Sequence, residues 1–422
     1  MVLKRKKIDE NNILLKRLLL SFGILIFIRL GTFLPVPGID LGHLAFYIQR
    51  HSVTRNLVST FSGNDTFVIG LFTLNIFPYI NASILMQLLI SIVPRLSKLQ
   101  KEGRSEGRRT INRITRLITL FWALVQSFSI AFYLKRALFN WNLVLAFEII
   151  IWLTTGAIIV LWLSELITEY GLGNGASLLI YTNIISSLPN LGKKLIIQNT
   201  NSLNLLSCTL IILLFFIAIY GIVLLQEGTR IIPLISSKQL SQNTPTFSNM
   251  SNNNYIPLRF NQAGVMPIIL TTAILIVPNY VSSLGILPII TLPVLVKSSK
   301  LIYWISYFVL ILLFSSFYSN IVLNPKDISS ELQKMAVSIP GVRPGVATTF
   351  YLKQIMKRVT LLGAVMLAIL ATLPNIVETI LHVSNFNGLG TTSLLILVGV
   401  ILDLSREIRS ILLSNIYNDM FD

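Results

Sequence analysis

Ten stretches of mostly apolar residues divide this chain of 422 residues into a regular pattern. They lie near 18–37, 72–93, 114–134, 143–168, 176–192, 205–225, 263–283, 301–323, 359–379 and 391–411. A bilayer core of roughly 30 Å takes about 20 helical residues, so the pattern predicts ten membrane-spanning helices and an all-α multi-pass membrane protein. The longest polar intervals fall near 38–60, 94–113, 226–262 and 324–358, and they leave no room for a separate soluble domain. Two of the spans carry breaks. The first ends in Leu34-Pro35-Val36-Pro37-Gly38, which stops a helix. The second is interrupted by Asn75, Pro78 and Asn81, and it reads as a half-helix near 62–71 joined to a longer one near 75–93. Broken backbone at membrane depth survives only where protein or a water-filled cavity satisfies it. A proline kink in an ordinary span is the plainer reading of the same residues.

Charge orients the pattern. Of 34 Lys and Arg residues, eight fall in alternate loops: Arg50, Arg55, Lys135, Arg136, Lys193, Lys194, Lys297 and Lys300. Arg29 lies inside a span, and the remaining 25 share the other side with the amino terminus. That asymmetry places the amino terminus on the cis (cytoplasmic or stromal) side. The basic start and a long first apolar run, with no small-residue cleavage site after it, read as a retained span and not a signal peptide. Composition agrees: 53% of residues are hydrophobic and 12% charged, against about 25% charged in a soluble domain. Mean hydropathy is +0.73. The net charge of +17 is divided among loops beside spans, where each basic residue gains about 1 kcal/mol from anionic lipid. Ribosomal RNA is the one realistic nucleic-acid partner. Residues 94–113 are densest in charge, with Arg95, Lys98, Lys101, Arg104, Arg108, Arg109 and Arg113. They read as a solvated face, or as a face toward lipid or an acidic partner.

The sequence offers little chemistry. Cys208 stands alone, so no disulfide or cysteine-based metal site forms within one chain. His43, His51 and His382 lack ligand spacing and read as surface residues. No HExxH, GxSxG or phosphate-binding motif occurs, and no catalytic residue, metal or cofactor is expected. Ionisable groups deep in spans are scarce: Arg29 in the first, Glu148 near the start of the fourth, and Glu165 and Asp403 toward the cis ends of theirs. Ion-coupled carriers keep carboxylates near the midplane, so this scarcity argues against coupled transport and against an intramembrane enzyme. Arg29, which costs about 2.5–3.5 kcal/mol at a helix centre, reads as a clamp facing the bundle and bonded to backbone carbonyls or a neighbouring helix. Gly171-Leu172-Gly173-Asn174-Gly175 reads as a tight turn between helices. Residues 226–262 hold Arg230 and a Ser/Asn run, and read as a flexible exposed hairpin or loop. Residues 339–345 set two Pro-Gly pairs around Arg343, which predicts a rigid projecting turn. Its place outside the membrane suggests that something docks there; a purely structural turn is the alternative.

Several of these segments together resemble the SecY family, the channel subunits of protein-export translocons. The residues that carry the resemblance are Arg29 to Gly38, Phe77 to Ile84, Glu165 to Gly175, Asn261 to Pro267, the Arg343 turn and Gly390 to Ile396. They occur in family order and cover nearly the whole chain. The resemblance implies two pseudo-symmetric five-helix halves, 1–192 and 193–422, around an hourglass pore with an apolar waist. By motif register the waist positions are Ile80, Ile84, Ala176, Ile180, Ile269 and Ile396. Such a ring blocks small solutes by dewetting. Ile80 and Ile84, and Ala176 and Ile180, share helical faces by their spacing of four. Ala176 departs from the bulkier family residue, so the seal there depends more on the plug, expected near 62–71.

The resemblance also implies a lateral gate between spans two and three and spans seven and eight, with Asn81, Gln87, Thr271 and Thr272 near the seam. Arg343, and more weakly Arg230, would contact the SecA motor ATPase or the ribosome. A SecE-like small subunit, a SecG-like subunit, signal peptides and membrane lipid complete the expected partners. The implied function is conduction of unfolded polypeptides and lateral release of hydrophobic segments; an inverted-repeat secondary transporter is the alternative. The Ile-, Asn- and Lys-rich composition and the short tail suit a plastid-encoded protein of the thylakoid membrane, with a stromal amino terminus. A bacterial plasma membrane is the other location that fits.

Overall fold

The computed structural model describes residues 2–37, 69–102, 106–134, 142–186, 205–236, 255–262, 264, 266–268, 270–271, 300–381 and 391–421. Its helices follow the apolar runs where these are described; most of the seventh run, 263–283, lies outside the described residues, which are helical there at 266–268 and 270–271. The named elements are eleven helices and four short strands. In order these are α1 (Val2–Gly31), α2 (Phe77–Ile92), α3 (Pro94–Glu102), α4 (Glu106–Leu134), α5 (Leu143–Tyr170), α6 (Gly175–Ser186) and α7 (Leu205–Glu227). Strands β1 (Thr229–Pro233), β2 (Ile235–Ser236) and β3 (Tyr255–Arg259) come next. The chain continues with α8 (Lys300–Val322), α9 (Pro325–Lys334), β4 (Val337–Ser338), α10 (Val346–Leu381) and α11 (Thr391–Phe421). Among the described residues, 109–132, 143–170 and 346–373 mark helices long and apolar enough to cross a membrane by length and composition. The chain divides into two compact units, 1–202 with 400–422, and 203–399.

In the first unit, α5 shows why these are membrane helices. Ala146, Ile149, Leu153, Ala157, Val160, Ser164 and Ile167 recur at steps of three and four and are buried against neighbours. The opposite face is apolar too: Phe147, Ile151, Trp152 and Trp162 are exposed. A helix that is apolar all round belongs inside lipid. Hydroxyl side chains within the spans are satisfied internally. Thr119 Oγ1 donates to the Thr115 carbonyl at 2.7 Å, Ser127 Oγ to Ala123 at 2.7 Å and Thr154 Oγ1 to Ile150 at 2.7 Å. Without water, each such group needs a partner of this kind.

Helix boundaries differ from the apolar limits. α1 begins at Val2, well ahead of the apolar run at 18, and stops at Gly31 before the proline pair. There Thr32 Oγ1 donates to the Arg29 carbonyl at 2.7 Å. The turn at 171–174 is tight, as expected. Gly171 N–H closes α5 on the Ile167 carbonyl at 2.8 Å, and Asn174 caps α6 by accepting from Ala176 N–H at 3.1 Å. A Cβ at Gly175 would lie 2.0 Å from the Ser164 carbonyl oxygen, so the return helix is packed backbone to backbone there.

In the second unit the described parts of both long polar intervals are folded, the expected hairpin at 226–262 among them; most of its Ser/Asn run, 237–254, lies outside the described residues. β1 and β3 pair antiparallel with Thr229 opposite Arg259 and Pro233 opposite Tyr255, and β2 pairs with β4 so that Ile235 faces Ser338. Helix α9 starts on Asn324, whose side chain accepts from Lys326 N–H, with Pro325 following, Asp327 in its first turn and Lys334 in its last. Each of these is a favoured helix-end residue. Ile232, Leu258, Leu332, Ile339, Leu352, Ile355, Met356 and Val359 form a buried apolar cluster. It joins the hairpin, α9 and the first turns of α10 into one small body, built from the intervals that the charge pattern assigns to the cis side. The sequence hid it because its apolar residues are spread over five short segments, none long enough to register as a core.

Candidate functional site

Two places in the chain carry arrangements that lipid-embedded packing alone does not need. The first is the break in the second span. Residues 71–76 form turns, with Asn75 at a φ of 46°, in the left-handed region. Among the described residues the helix starts only at Phe77, with Pro78 at its first turn, so the proline stands at a helix start and not at a kink inside a helix. Backbone and side-chain bonds hold the break on several sides. Leu71 N–H donates to the Leu34 carbonyl at 2.8 Å and Val36 N–H to Ile69 at 3.2 Å. Thr73 Oγ1 donates to the Gly70 carbonyl at 2.6 Å, and Ile76 N–H to Asn75 Oδ1 at 2.8 Å.

Glycines permit the fit. A Cβ at Gly156 would lie 2.0 Å from the Leu71 carbonyl oxygen, and one at Gly70 would lie 2.0 Å from the Thr32 carbonyl oxygen. Ile69, Leu74 and Val36 then pack with Ile149, Leu153 and Ala157 of α5 and Ala123 and Ala131 of α4. Gly156 lies about 20 Å from either end of α5 at 1.5 Å per residue. The break therefore lies level with the middle of α5, and α2 starts from that level. Gly156 was not singled out from the sequence, although a glycine inside an apolar span signals close backbone approach.

Ile80 and Ile84 are one turn apart on α2 and both are buried, at 8% and 6% exposure. Ala176 and Ile180 lie on α6, half-buried. These four belong to the first unit, and Ile396, half-buried on α11, to the second. Ile269 and Thr272 lie outside the described residues. Asn81 and Gln87 are half-buried on α2, and Gln87 Oε1 is buried without a hydrogen-bond partner. Thr271 is fully buried and its hydroxyl donates to the Pro267 carbonyl at 2.7 Å. Residues 62–68 of the expected plug also lie outside the described residues; Ile69, Gly70 and Leu71 are not helical but part of the clamped break.

Arg29 reaches the neighbouring helix. Its guanidinium bonds Ser186 Oγ at the end of α6 and lies over the Phe33 ring, 5.2 Å from the centroid. Glu165 pairs with Arg116 at 2.8 Å and ties α5 to α4; this pair was not anticipated. In the second unit Ser319 Oγ donates to Gln262 Oε1 at 2.9 Å, which links α8 to the segment after β3.

The second arrangement is the Arg343 turn. Val342 N–H donates to the Ile339 carbonyl at 3.1 Å across Pro340 and Gly341, with Gly341 at φ 76°. This is a type II turn, which needs a positive φ at its third residue. Ser329 Oγ of α9 donates to the Gly345 carbonyl at 3.0 Å, and Thr348 Oγ1 to the Arg343 carbonyl at 2.8 Å. The backbone around Arg343 is thus fixed while the residue itself is exposed. Arg230 is exposed on β1.

A multi-pass helical protein with an interrupted span and a rigid, basic, exposed turn belongs to the membrane channels and carriers. Comparison with known proteins narrows that class. The sequence profile of SecY matches residues 70–405. The chain is 70% identical over 424 residues to the protein translocase subunit SecY of Trieres chinensis, covering 99% of this chain and 100% of the relative. It is 44% identical to that of Guillardia theta, covering 95% of each. A solved structure concerned with how the SecY plug domain stabilises the closed state of the translocation channel superposes with a TM-score of 0.66. The identity there is 19%, with coverage of 95% of this chain and 93% of that one. The chain belongs to the SecY family, the protein-conducting channel subunits of protein translocases.

Proposed function

We propose that this subunit conducts unfolded polypeptides through a waist lined by Ile80, Ile84, Ala176, Ile180, Ile269 and Ile396, and releases hydrophobic segments sideways. The observation that carries the reading is the clamped break at 69–76. It starts α2 level with the middle of α5, which sets Ile80 and Ile84 about 5 and 11 Å beyond that start. Branched aliphatic side chains there hold neither ions nor water, and they can shift to form a gasket around a threading chain. The halves 1–192 and 193–422 move as the two shells, with 62–71 as the plug. Asn81, Gln87, Thr271 and Thr272 lower the cost of parting the gate, since water or a signal peptide can bond polar groups such as Gln87 Oε1, which has no partner in the closed state.

Energy comes from outside, because no residue set here hydrolyses a nucleotide. Arg343 on its rigid turn is the docking point for a SecA-type motor or a ribosome, with Arg230 of the preceding cis loop as a weaker second contact; guanidinium offers a planar fork to carboxylate or phosphate. A SecE-like subunit clasps the shell, and a SecG-like subunit joins it. Relatives from algae support a plastid origin, with the thylakoid as the membrane and the amino terminus in the stroma. The experiment is reconstitution of the channel with its small subunits in liposomes. Motor- and ATP-dependent uptake of an unfolded preprotein is expected, and Ile80→Asp with Ile84→Asp should admit ions at rest. A resting membrane that stays tight with both charges in place would overturn the waist assignment.

A further inference from the structure

α10 is 36 residues long, Val346–Leu381, about 54 Å of helix, far more than the roughly 20 residues a bilayer takes. Its apolar run begins at Val359, and Lys353, Lys357 and Arg358 precede it. The first three turns therefore stand in water, with Leu352, Ile355 and Met356 buried in the cis-side cluster. The other face does not behave as a solvated face. Val346 is 86% exposed and Phe350 70% exposed. Val346, Phe350, Lys353 and Lys357 are spaced four, three and four apart, so they form one stripe along the helix. All four are exposed, and the stripe begins three residues after Arg343.

We propose that this stripe anchors the docked partner, and that the partner supplies an apolar pocket rimmed by carboxylates. This inference rests on the reading that the Arg343 turn is a docking point, and it extends that point into a defined surface. Two chemistries decide the class of partner. A membrane surface would take the apolar residues deepest, yet Val346 lies about 20 Å along the helix from Val359 and the lysines lie between. Nucleic acid would use Arg343 and the lysines but has nothing to desolvate a valine. A protein pocket uses both: Phe350 and Val346 fill it, and Arg343, Lys353 and Lys357 meet acidic groups at its rim. Large apolar anchors inside a charged rim are the usual energetic centre of an interface.

The test uses the full-length channel in proteoliposomes, with purified SecA-type motor as the probe. The double variant Val346→Ser/Phe350→Ser should weaken motor binding by about tenfold or more. Lys353→Glu/Lys357→Glu should weaken it and flatten its salt dependence. All four residues are exposed, and an unchanged thermal midpoint checks that the variants fold. A photoreactive residue at position 350 should cross-link to motor polypeptide. If Arg343→Glu weakens binding and Val346→Ser/Phe350→Ser does not, the stripe is wrong and the docking point stands. If Arg343→Glu also has no effect, the docking reading itself fails. Cross-links to ribosomal RNA or to lipid in place of protein would overturn the partner class.

Discussion

Gly156→Ala tests the keystone of the broken span. The new Cβ would stand 2.0 Å from the Leu71 carbonyl oxygen and 3.0 Å from its carbon, with Phe72 Cδ1 at 3.3 Å. Real Cβ atoms do not approach closer than 3.0 Å, so about 1 Å must open between α5 and the break. The obstacle is backbone, and that backbone is bonded to Leu34 and packed under Ala157 and Leu153, so it cannot swing aside as a side chain would. Overpacking of this kind costs about 1–3 kcal/mol, and the rigid partner puts the site at the upper end. Alanine in a helix returns about 1 kcal/mol over glycine. The net loss is about 2 kcal/mol. Gly23 of α1 has nothing within 4 Å, so Gly23→Ala should show the propensity gain alone. The assay is thermal unfolding of the purified complex in detergent, with single-channel conductance in planar bilayers. Gly156→Ala should lower the midpoint and raise the resting leak as α2 shifts, while Gly23→Ala moves the midpoint the other way. Equal midpoints for the two variants, with a tight resting channel in both, would refute a backbone clamp at the middle of α5.

Other outcomes follow from the same geometry. Arg343→Glu should abolish motor-driven export in vesicles while the protein still inserts and folds, because the turn is held by Ser329 and Thr348 and not by the Arg343 side chain. Gln87→Leu removes a buried, unpartnered acceptor, a site that costs about 1–3 kcal/mol when unpaired. Combined with Thr272→Leu it should stabilise the closed gate and slow export of weak signal sequences, and unchanged export kinetics would count against a polar seam. Deleting 62–68 should raise ion leak in bilayers while leaving expression intact. Extending the deletion through Leu71 should also lower the midpoint, since it removes the backbone bond to Leu34.

The spans were legible because lipid imposes one solution on an apolar run, an internally bonded helix. Part of the second span's interruption was legible too: Asn75 and Pro78 are poor interior residues, and the structure turns at one and starts its helix beside the other, while the half-helix expected near 62–71 falls mostly outside the described residues. Its clamp was not, because Gly156 and Gly70 act through what they lack and the atoms they admit come from distant segments. The cis-side body escaped for a related reason. Ile232, Leu258, Leu332 and Ile339 come from strands and a helix separated by polar sequence, and only pairing across 235–236 and 337–338 brings them into one cluster. Tight turns, by contrast, announced themselves through Pro340-Gly341 and Asn174-Gly175, where backbone conformation is written in single residues.

The cis-side body gives α10 a mechanical character that a bare loop would not have. Arg343 sits on a turn bonded to α9 at one end and to the first turn of α10 at the other. The hairpin, α9 and α10 share one apolar cluster, and α10 continues without a break from that cluster through its apolar run. Within this unit it packs against α8 and against α7, where a Cβ at Gly221 would lie 2.8 Å from Leu370 Cδ2. A flexible tether would let a docked motor turn freely and lose its push to thermal motion. A continuous helix fixed at both levels would move as one piece and deliver a displacement of Arg343 to Leu370. Two glycines introduced near the membrane edge, as Met356→Gly and Thr360→Gly, would cost about 1 kcal/mol each in helix propensity and more in lost packing. If α10 carries force, they should reduce motor-driven export more than motor binding. Binding and export falling together would mean that the helix holds the docking surface in shape and transmits nothing.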